Sequence, residues 1–243
     1  MRVLAACCLH YGAEYLGYAI RSVINHVDEV AVFYSGTPSH GRGTDAKLPE
    51  SEAEGRLKYI AFDAAGPKCT WITGRWGTEG AHRDAMETYA RDSGYDRMLV
   101  LDADEVWPEA LLHHVKTSFS IGRSWTLPMV HLWQGFDRVC RDACQPQRVV
   151  FPQAVGVRNV IHLPSDLPPI YHFGYAISDE LMAYKWKIHG HFDELRKGWM
   201  EEKWLARATE DVHPTNERGF WNARPFDRNL LPHVMRSHPR WKP

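Results

Sequence analysis

Met98-Leu99-Val100-Leu101-Asp102-Ala103-Asp104-Glu105 is the stretch whose reading decides the fold. Four apolar residues in a row suit a short buried strand and are too few for a helix. The run then breaks into three carboxylates within four positions. Strand alternation turns Asp102 and Asp104 to one side and Ala103 to the other. Two carboxylates side by side at the end of a buried strand repel each other. A hard divalent cation, which prefers oxygen ligands, relieves that repulsion. The plain alternative is an acidic turn in which Glu105 opens the next helix.

Upstream, Thr78 is placed to cap a helix in which Ala81, Ala85 and Tyr89 share one face, and Gly94 ends it. Earlier still, the apolar run from Val3 to Leu9 reads as a central strand. Leu16, Ala19, Ile20, Val23, Ile24 and Val27 then recur at helical spacing from about Ala13 to His26, and Glu29 to Tyr34 is a second strand. A strand–helix–strand opening implies a parallel pair with a right-handed crossover. Leu57 to Phe62 reads as a third strand with Asp63 at its end, and Trp71-Ile72-Thr73 as a short extended piece. Downstream, Pro108 sits near the first turn of a further helix. Trp125 to Trp133 is extended and aromatic, Val149 to Val160 is strand-like with a Pro interruption, and Ile170 to Phe173 is a short strand. Ser178 caps a helix carrying Leu181, Tyr184, Lys185 and Ile188. The pattern predicts an α/β fold: a Rossmann-like mixed, mainly parallel sheet flanked by helices over residues 1–178. A C-terminal helical and irregular extension, 179–243, packs on that core.

With 243 residues, 44% of them hydrophobic, the chain can bury a sizeable core. The net charge of −1 names no partner, but its distribution is uneven. From Val212 onward six basic residues (Arg218, Arg224, Arg228, Arg236, Arg240, Lys242) face only Glu217 and Asp227, so the tail is +4 and the remainder −5. The five cysteines, Cys7, Cys8, Cys69, Cys140 and Cys144, are odd in number, and two lie in an apolar run. They read as reduced thiols, and Cys140 with Cys144 lacks the two further ligands a zinc site needs. Gly41-Arg42-Gly43-Thr44 belongs to neither glycine-rich phosphate motif and reads as a surface loop. No signal-peptide pattern and no apolar run of membrane-spanning length is present, so a soluble, cytoplasmic protein without a membrane partner is expected.

Three segments together carry a resemblance. The segment from Tyr95 to Glu105 looks like the Asp-x-Asp segment of GT-A glycosyltransferases of the family-2-like kind. Gly80-Ala81-His82-Arg83-Asp84-Ala85-Met86 is similar to that family's Arg-Asn-x-Ala helix start. Ile170-Tyr171-His172-Phe173-Gly174-Tyr175, followed by Glu180, Met182 and Lys185, looks like its His-x-Gly segment. The resemblance spans roughly residues 1–190. It implies a GT-A fold and transfer of a sugar from a nucleotide-diphosphate donor, a UDP-sugar first, to a hydroxyl acceptor. By the same resemblance Asp102 contacts the ribose or the metal, and Asp104 ligates Mn²⁺ or Mg²⁺. His172 is a further metal or diphosphate ligand, and Arg83 faces the donor's phosphates or sugar. An imidazole ligand favours manganese.

The chain departs from the family in two places. Tyr34-Ser35-Gly36-Thr37-Pro38-Ser39 stands where Asp-x-Gly-Ser-x-Asp often contacts the base, so base recognition falls to Asp63 or, by stacking, to Tyr11. Asp84 replaces the Asn of the helix start. An inverting transferase also needs a carboxylate to take the acceptor's proton. Asp137, Asp142 and Asp166 lie in the right part of the chain, and Asp137 is preferred because Gly135 lets its loop approach the crevice.

The acceptor is read from aromatic and basic residues. The run from Trp125 to Trp133 suits a stacked sugar or base, or equally core packing. In the tail, arginines alternate with Phe220, Trp221, Phe226 and Trp241, a mixture that fits a phosphate backbone with exposed bases. Phage DNA glycosyltransferases acting on hydroxymethylated pyrimidines supply the analogy, which places the chain in the host cytoplasm if it is phage-encoded. The alternatives are a tail that packs over the core, a polysaccharide or glycolipid-precursor acceptor, and a non-catalytic nucleotide-sugar or nucleic-acid binding protein. A haloacid-dehalogenase-type phosphatase also uses Asp-x-Asp, but wants it in the first strand and followed by Gly-Thr.

Overall fold

The computed structural model describes residues 1–38, 46–118, 123–141, 146–154, 159–163, 166–188, 192–215 and 221–241. The glycine-rich segment at 41–44, Asp142, Cys144, Glu217, Arg218, Phe220 and Lys242 lie outside the described residues. The first apolar run forms β1 (Val3–Leu9), followed by α1 (Leu16–Val23) and β2 (Glu29–Ser35). β1 pairs parallel with β2, as the strand–helix–strand opening requires. The next elements are α2 (Glu54–Ala65), β3 (Cys69–Gly74), α3 (Glu79–Asp92) and β4 (Arg97–Val100). After β4 come β5 (Glu105–Val106), α4 (Glu109–Thr117), β6 (Ser124–Thr126), β7 (Met129–Trp133), β8 (Arg138–Arg141) and β9 (Gln147–Val150). β10 (Val160–His162), β11 (Ile170–Tyr175), α5 (Asp179–Lys187) and β12 (Arg224–Pro225) complete the order.

Among the described residues the strands make two sheets. The first runs β10-β6-β9-β4-β1-β2-β3, and the second β12-β8-β7-β11-β5. The four strands β3, β2, β1 and β4 are mutually parallel, while β9 enters antiparallel beside β4. β1 sits inside this block, which explains why it is apolar on both faces. Its Ala5, Cys7 and Leu9 pack with α1, α2 and α4, and its Leu4 and Ala6 pack with α3. The result is a mixed α/β structure with a mostly parallel central sheet and flanking helices.

The acidic stretch is where the chain leaves one sheet for the other. β4 ends at Val100, Asp102 to Asp104 form a turn, and β5 pairs antiparallel with β11, bringing Glu105 opposite His172. A second crossing separates β6 from β7 at Leu127-Pro128, so the extended aromatic run is split between the sheets. Trp125 and Trp133 are both buried, which makes them core residues.

Leu57 to Phe62 is corrected from strand to helix. Leu57, Ala61 and Ala65 form one buried face of α2 at i, i+4, i+8 spacing, while Tyr59 is 71% exposed. A buried strand would have hidden Tyr59 with Leu57 and Ala61; the third strand of the sheet is β3 instead. Asp63 therefore belongs to a helix, not to a strand end. Thr78 and Ser178 cap α3 and α5 as their spacing predicts, accepting from the amides of Ala81 at 3.1 Å and Leu181 at 3.2 Å.

The C-terminal segment packs on the second sheet. Trp221 stacks on His131 at 4.6 Å, and Phe226 meets Tyr171 at 6.0 Å. Arg240 pairs with Glu14 at 2.8 Å, and Arg228 lies 3.9 Å from Asp137. Trp221 is buried in the core of that sheet, and Phe226 and Trp241, half-buried, pack against it, so the tail's described aromatics contribute to packing. Among the described residues no helix is long and apolar enough to cross a membrane.

Gly12, in the turn after β1, has φ +137°, and a Cβ there would lie 2.6 Å from the Cβ of Ala103. The turn can approach the acidic segment only without a side chain. Gly12→Ala is expected to cost about 2 kcal/mol from backbone strain and overlap. Urea denaturation checks this, and unchanged stability would refute the close approach.

Candidate active site

At the carboxyl ends of β1 and β4 lies a cleft of about 220 Å³. Its wall includes His10, Tyr11, Arg83, Asp102, Asp104, His172 and Lys185. In open α/β sheets this is where ligands bind.

Both aspartates reach this cleft, but their surroundings differ. Asp102 Oδ2 accepts a hydrogen bond from Arg148 at 2.6 Å, and its Oδ1 is 4.0 Å from Arg83. Arg148, buried on β9, also donates to Glu105 Oε1 at 2.5 Å. Glu105 is fully buried, so its carboxyl pKa is pushed up by loss of solvent, with Arg148 opposing. Asp104 Oδ1 faces His172 Nε2 at 3.5 Å, and burial raises its carboxyl pKa as well.

His172 is fixed from behind: its Nδ1 is 2.8 Å from Nδ1 of His131. Two facing ring nitrogens need one proton between them. If His172 supplies it, its Nε2 lone pair confronts the carboxylate of Asp104, an arrangement that calls for a cation. Burial first, then the neighbouring Lys185 ammonium, lower the imidazole pKa to about 3, so the ring is neutral. The Lys185 ammonium donates to the carbonyl of Gly174 at 3.0 Å.

The near wall is built from the first turn. Glu52 is buried and accepts from the amides of Gly12 at 2.7 Å and Ala13 at 2.8 Å, satisfying donors ahead of α1. His10 bridges the Ser35 carbonyl at 2.8 Å and the Tyr184 hydroxyl at 2.7 Å. Tyr11 stands edge-on to His10 and to Tyr184. Arg83, one turn into α3, pairs with Glu79 at 2.8 Å.

The residues expected from the sequence thus divide. Tyr11, Arg83, Asp102, Asp104 and His172 come together in one cleft. Asp63 does not: it pairs with Arg21 at 2.6 Å on the outer side of α2 and borders a different hollow. Asp137 is 75% exposed and faces a separate cavity of about 610 Å³ with Trp133, Arg138 and Arg207. Asp166 is exposed at the surface.

Asp104 Oδ1 and His172 Nε2, 3.5 Å apart, are a pair of oxygen and nitrogen donors in this cleft that could hold a divalent cation. Asp102 is drawn to arginine instead. Among the described residues no group of three carboxylate, imidazole or thiol side chains is gathered as a metal cage.

Sequence reasoning missed Arg148, His131, Glu52 and His10. Arg148 had a signal: a lone charge ahead of Val149-Val150-Phe151, a position that in a buried strand demands a buried partner. Glu52 had none, since it acts across forty residues of chain through its packing alone.

No family model matches the chain. No curated protein matches it in sequence. Several solved structures resemble it, among them the following two. A protein described as a nucleotide-diphospho-sugar transferase from Desulfovibrio desulfuricans G20 has 14% identity and a TM-score of 0.35, over 68% of this chain and 80% of that one. The inositol-1-phosphate CTP transferase from T. maritima has 9% identity and a TM-score of 0.38, over 79% of this chain and 97% of that one. Likeness at this level says nothing about activity.

Arg148→Met leaves two carboxylates without their shared cation, one of them buried. It is expected to lower stability by about 3–5 kcal/mol at neutral pH. Without the cation the folded-state pKa of Glu105 rises further above its unfolded value of about 4.5. The deficit should therefore be level below about pH 7 and grow as pH rises through the native protein's value of about 8. Denaturation across pH 6–9 checks this; a deficit that does not grow over that range would contradict the assigned network.

Proposed function

We propose that the chain is a GT-A-type glycosyltransferase moving a sugar from a nucleoside-diphosphate donor, a UDP-sugar first among candidates, to a hydroxyl acceptor. The observation that carries this reading is Asp104 meeting His172 at 3.5 Å on the wall of a cleft at the strand ends. Manganese or magnesium held by these two side chains would neutralise charge on the departing diphosphate as a Lewis acid. His172 makes manganese the better match.

The chain's own groups supply the rest. Asp102, anchored through one oxygen by Arg148, offers the other to the donor's ribose. Arg83 faces the phosphates, held by Glu79 in the meantime. Tyr11 offers a ring to the base, a role that Asp63 on its helix cannot share. In the transfer, the acceptor oxygen bonds to the anomeric carbon while the bond from that carbon to the β-phosphate oxygen breaks. The electron pair leaves with the nucleoside diphosphate, and the acceptor's proton passes to a carboxylate. Glu14 is better situated for that step than Asp137, because it lines the cleft and burial raises its carboxyl pKa. It is held by Arg240 until an acceptor arrives.

A hydroxymethylated base in DNA is the less supported acceptor. Of the tail's described aromatics Trp221 is buried and Phe226 and Trp241 are half-buried against the core, and two of its arginines pair with Glu14 and Asp137. A glycan or glycolipid-precursor hydroxyl is the simpler choice.

A panel of nucleotide sugars assayed with Mn²⁺ tests the reading, with hydrolysis counting as turnover. Asp104→Asn is expected to lower turnover by at least about 100-fold. EDTA should abolish activity, and manganese restore it better than calcium. Turnover by the chelated protein, or by Asp104→Asn at the native rate, would overturn it. For the base, Glu14→Gln should cost roughly 10²–10⁴ in transfer and Asp137→Asn little; the reverse order would return that role to Asp137.

A further inference from the structure

We infer that Lys185 is a diphosphate-binding residue of this cleft, its ammonium taking a non-bridging oxygen of the nucleoside-diphosphate leaving group. This rests on the transferase reading above and adds a second protein cation, after Arg83, to the phosphate side of the site.

Three cationic side chains surround the acidic segment. Arg148 is committed to Asp102 and Glu105, and Arg83 to Glu79. Lys185 differs. Its hydrogen bond goes to the neutral carbonyl of Gly174 at 3.0 Å, and its ammonium stands 5.0 Å from the Tyr175 ring centroid. No carboxylate among the described residues forms an ion pair with it. An ammonium carries three donors, so one carbonyl leaves it with donors to spare on the wall of the cleft.

Its location is tightly defined. A Cβ built on Gly174 would lie 2.7 Å from His172 Nε2 and 2.8 Å from Lys185 Nζ. Both nitrogens therefore border one small space above a glycine that has no side chain to fill it. Helix α5 projects Lys185 into that space after the Ser178 cap fixes its start. The imidazole, 3.5 Å from Asp104, and the ammonium thus border the same space, which suits a ligand with several anionic oxygens. If Lys185 served only to offset Asp104, direct contact with that carboxylate would be the better geometry, and it is not the one adopted.

The test uses inorganic pyrophosphate, which needs no knowledge of the base. Calorimetric titration in Mg²⁺ should give binding to the full-length protein, at least about tenfold weaker in Lys185→Met and partly restored in Lys185→Arg. The melting temperature of each variant is measured alongside, and uridine is titrated in parallel. A purely structural role would weaken uridine and pyrophosphate alike and lower the melting temperature without rescue by arginine. Equal pyrophosphate affinity in the wild type and a folded Lys185→Met overturns the inference and leaves the transferase reading standing. Lysine-dependent pyrophosphate binding without turnover of any nucleotide sugar overturns the transferase reading and keeps the anion site.

Discussion

Everything at the sheet junction depends on one buried cation. Asp102, Asp104 and Glu105 are carried within four residues through a turn where solvent is scarce, and their mutual repulsion must be relieved for the turn to form. Arg148 relieves it from β9, the antiparallel neighbour of β4, by bonding to Asp102 and Glu105 at once. This contact thereby stabilises the passage of the chain from the first sheet to the second, which presents β4 and β11 to a common cleft. Here a feature that looks like site chemistry is in part an architectural solution.

The same contact decides which carboxylate is available for a ligand. Asp102 and Asp104 look equivalent by position, but a guanidinium and an imidazole hold them differently. A carboxylate bonded to arginine at 2.6 Å has given one of its oxygens to a protein cation. One that faces a neutral imidazole at 3.5 Å has surrendered little. Strand alternation is not what aims them, since β4 stops at Val100, before either. The turn aims them, and β11 catches it through the amide of Phe173, which bonds to the carbonyl of Asp104 at 2.7 Å.

Those parts of the fold that rest on local periodicity were legible in the chain. β1 and β2 follow from continuous apolar runs, and α1 and α3 from apolar residues at period 3.6, α3 with Thr78 to cap it. Leu57 to Phe62 was not, because six residues with apolar groups at mixed spacing satisfy both periods, and only packing against α1 separates them. The cleft was legible where a motif concentrates chemistry, in Asp102, Asp104, His172 and Arg83. It was not legible where long-range contact does the work. Arg148 shows only as a lone charge beside an apolar run, which does not name its partners. His131 and Glu52 reach the site from segments with no pattern of their own, while Asp63 and Asp137 rest on an assumed proximity that the chain does not adopt.

The basic, aromatic tail shows why composition alone misleads about partners. A run of arginines and aromatics reads equally as a nucleic-acid surface and as the lid of a second core. What separates the two is where the rings point. Trp221 stacks on His131, the residue behind His172, and so joins the layer that supports the cleft. Arg240 fixes Glu14 on the opposite wall while its guanidinium also holds the carbonyl of Ala176. The tail thus touches both walls from outside, one through a ring and the other through a charge. Its composition follows from that double duty: rings to cover the apolar back of the second sheet, and cations to answer the −5 charge of the chain that precedes it.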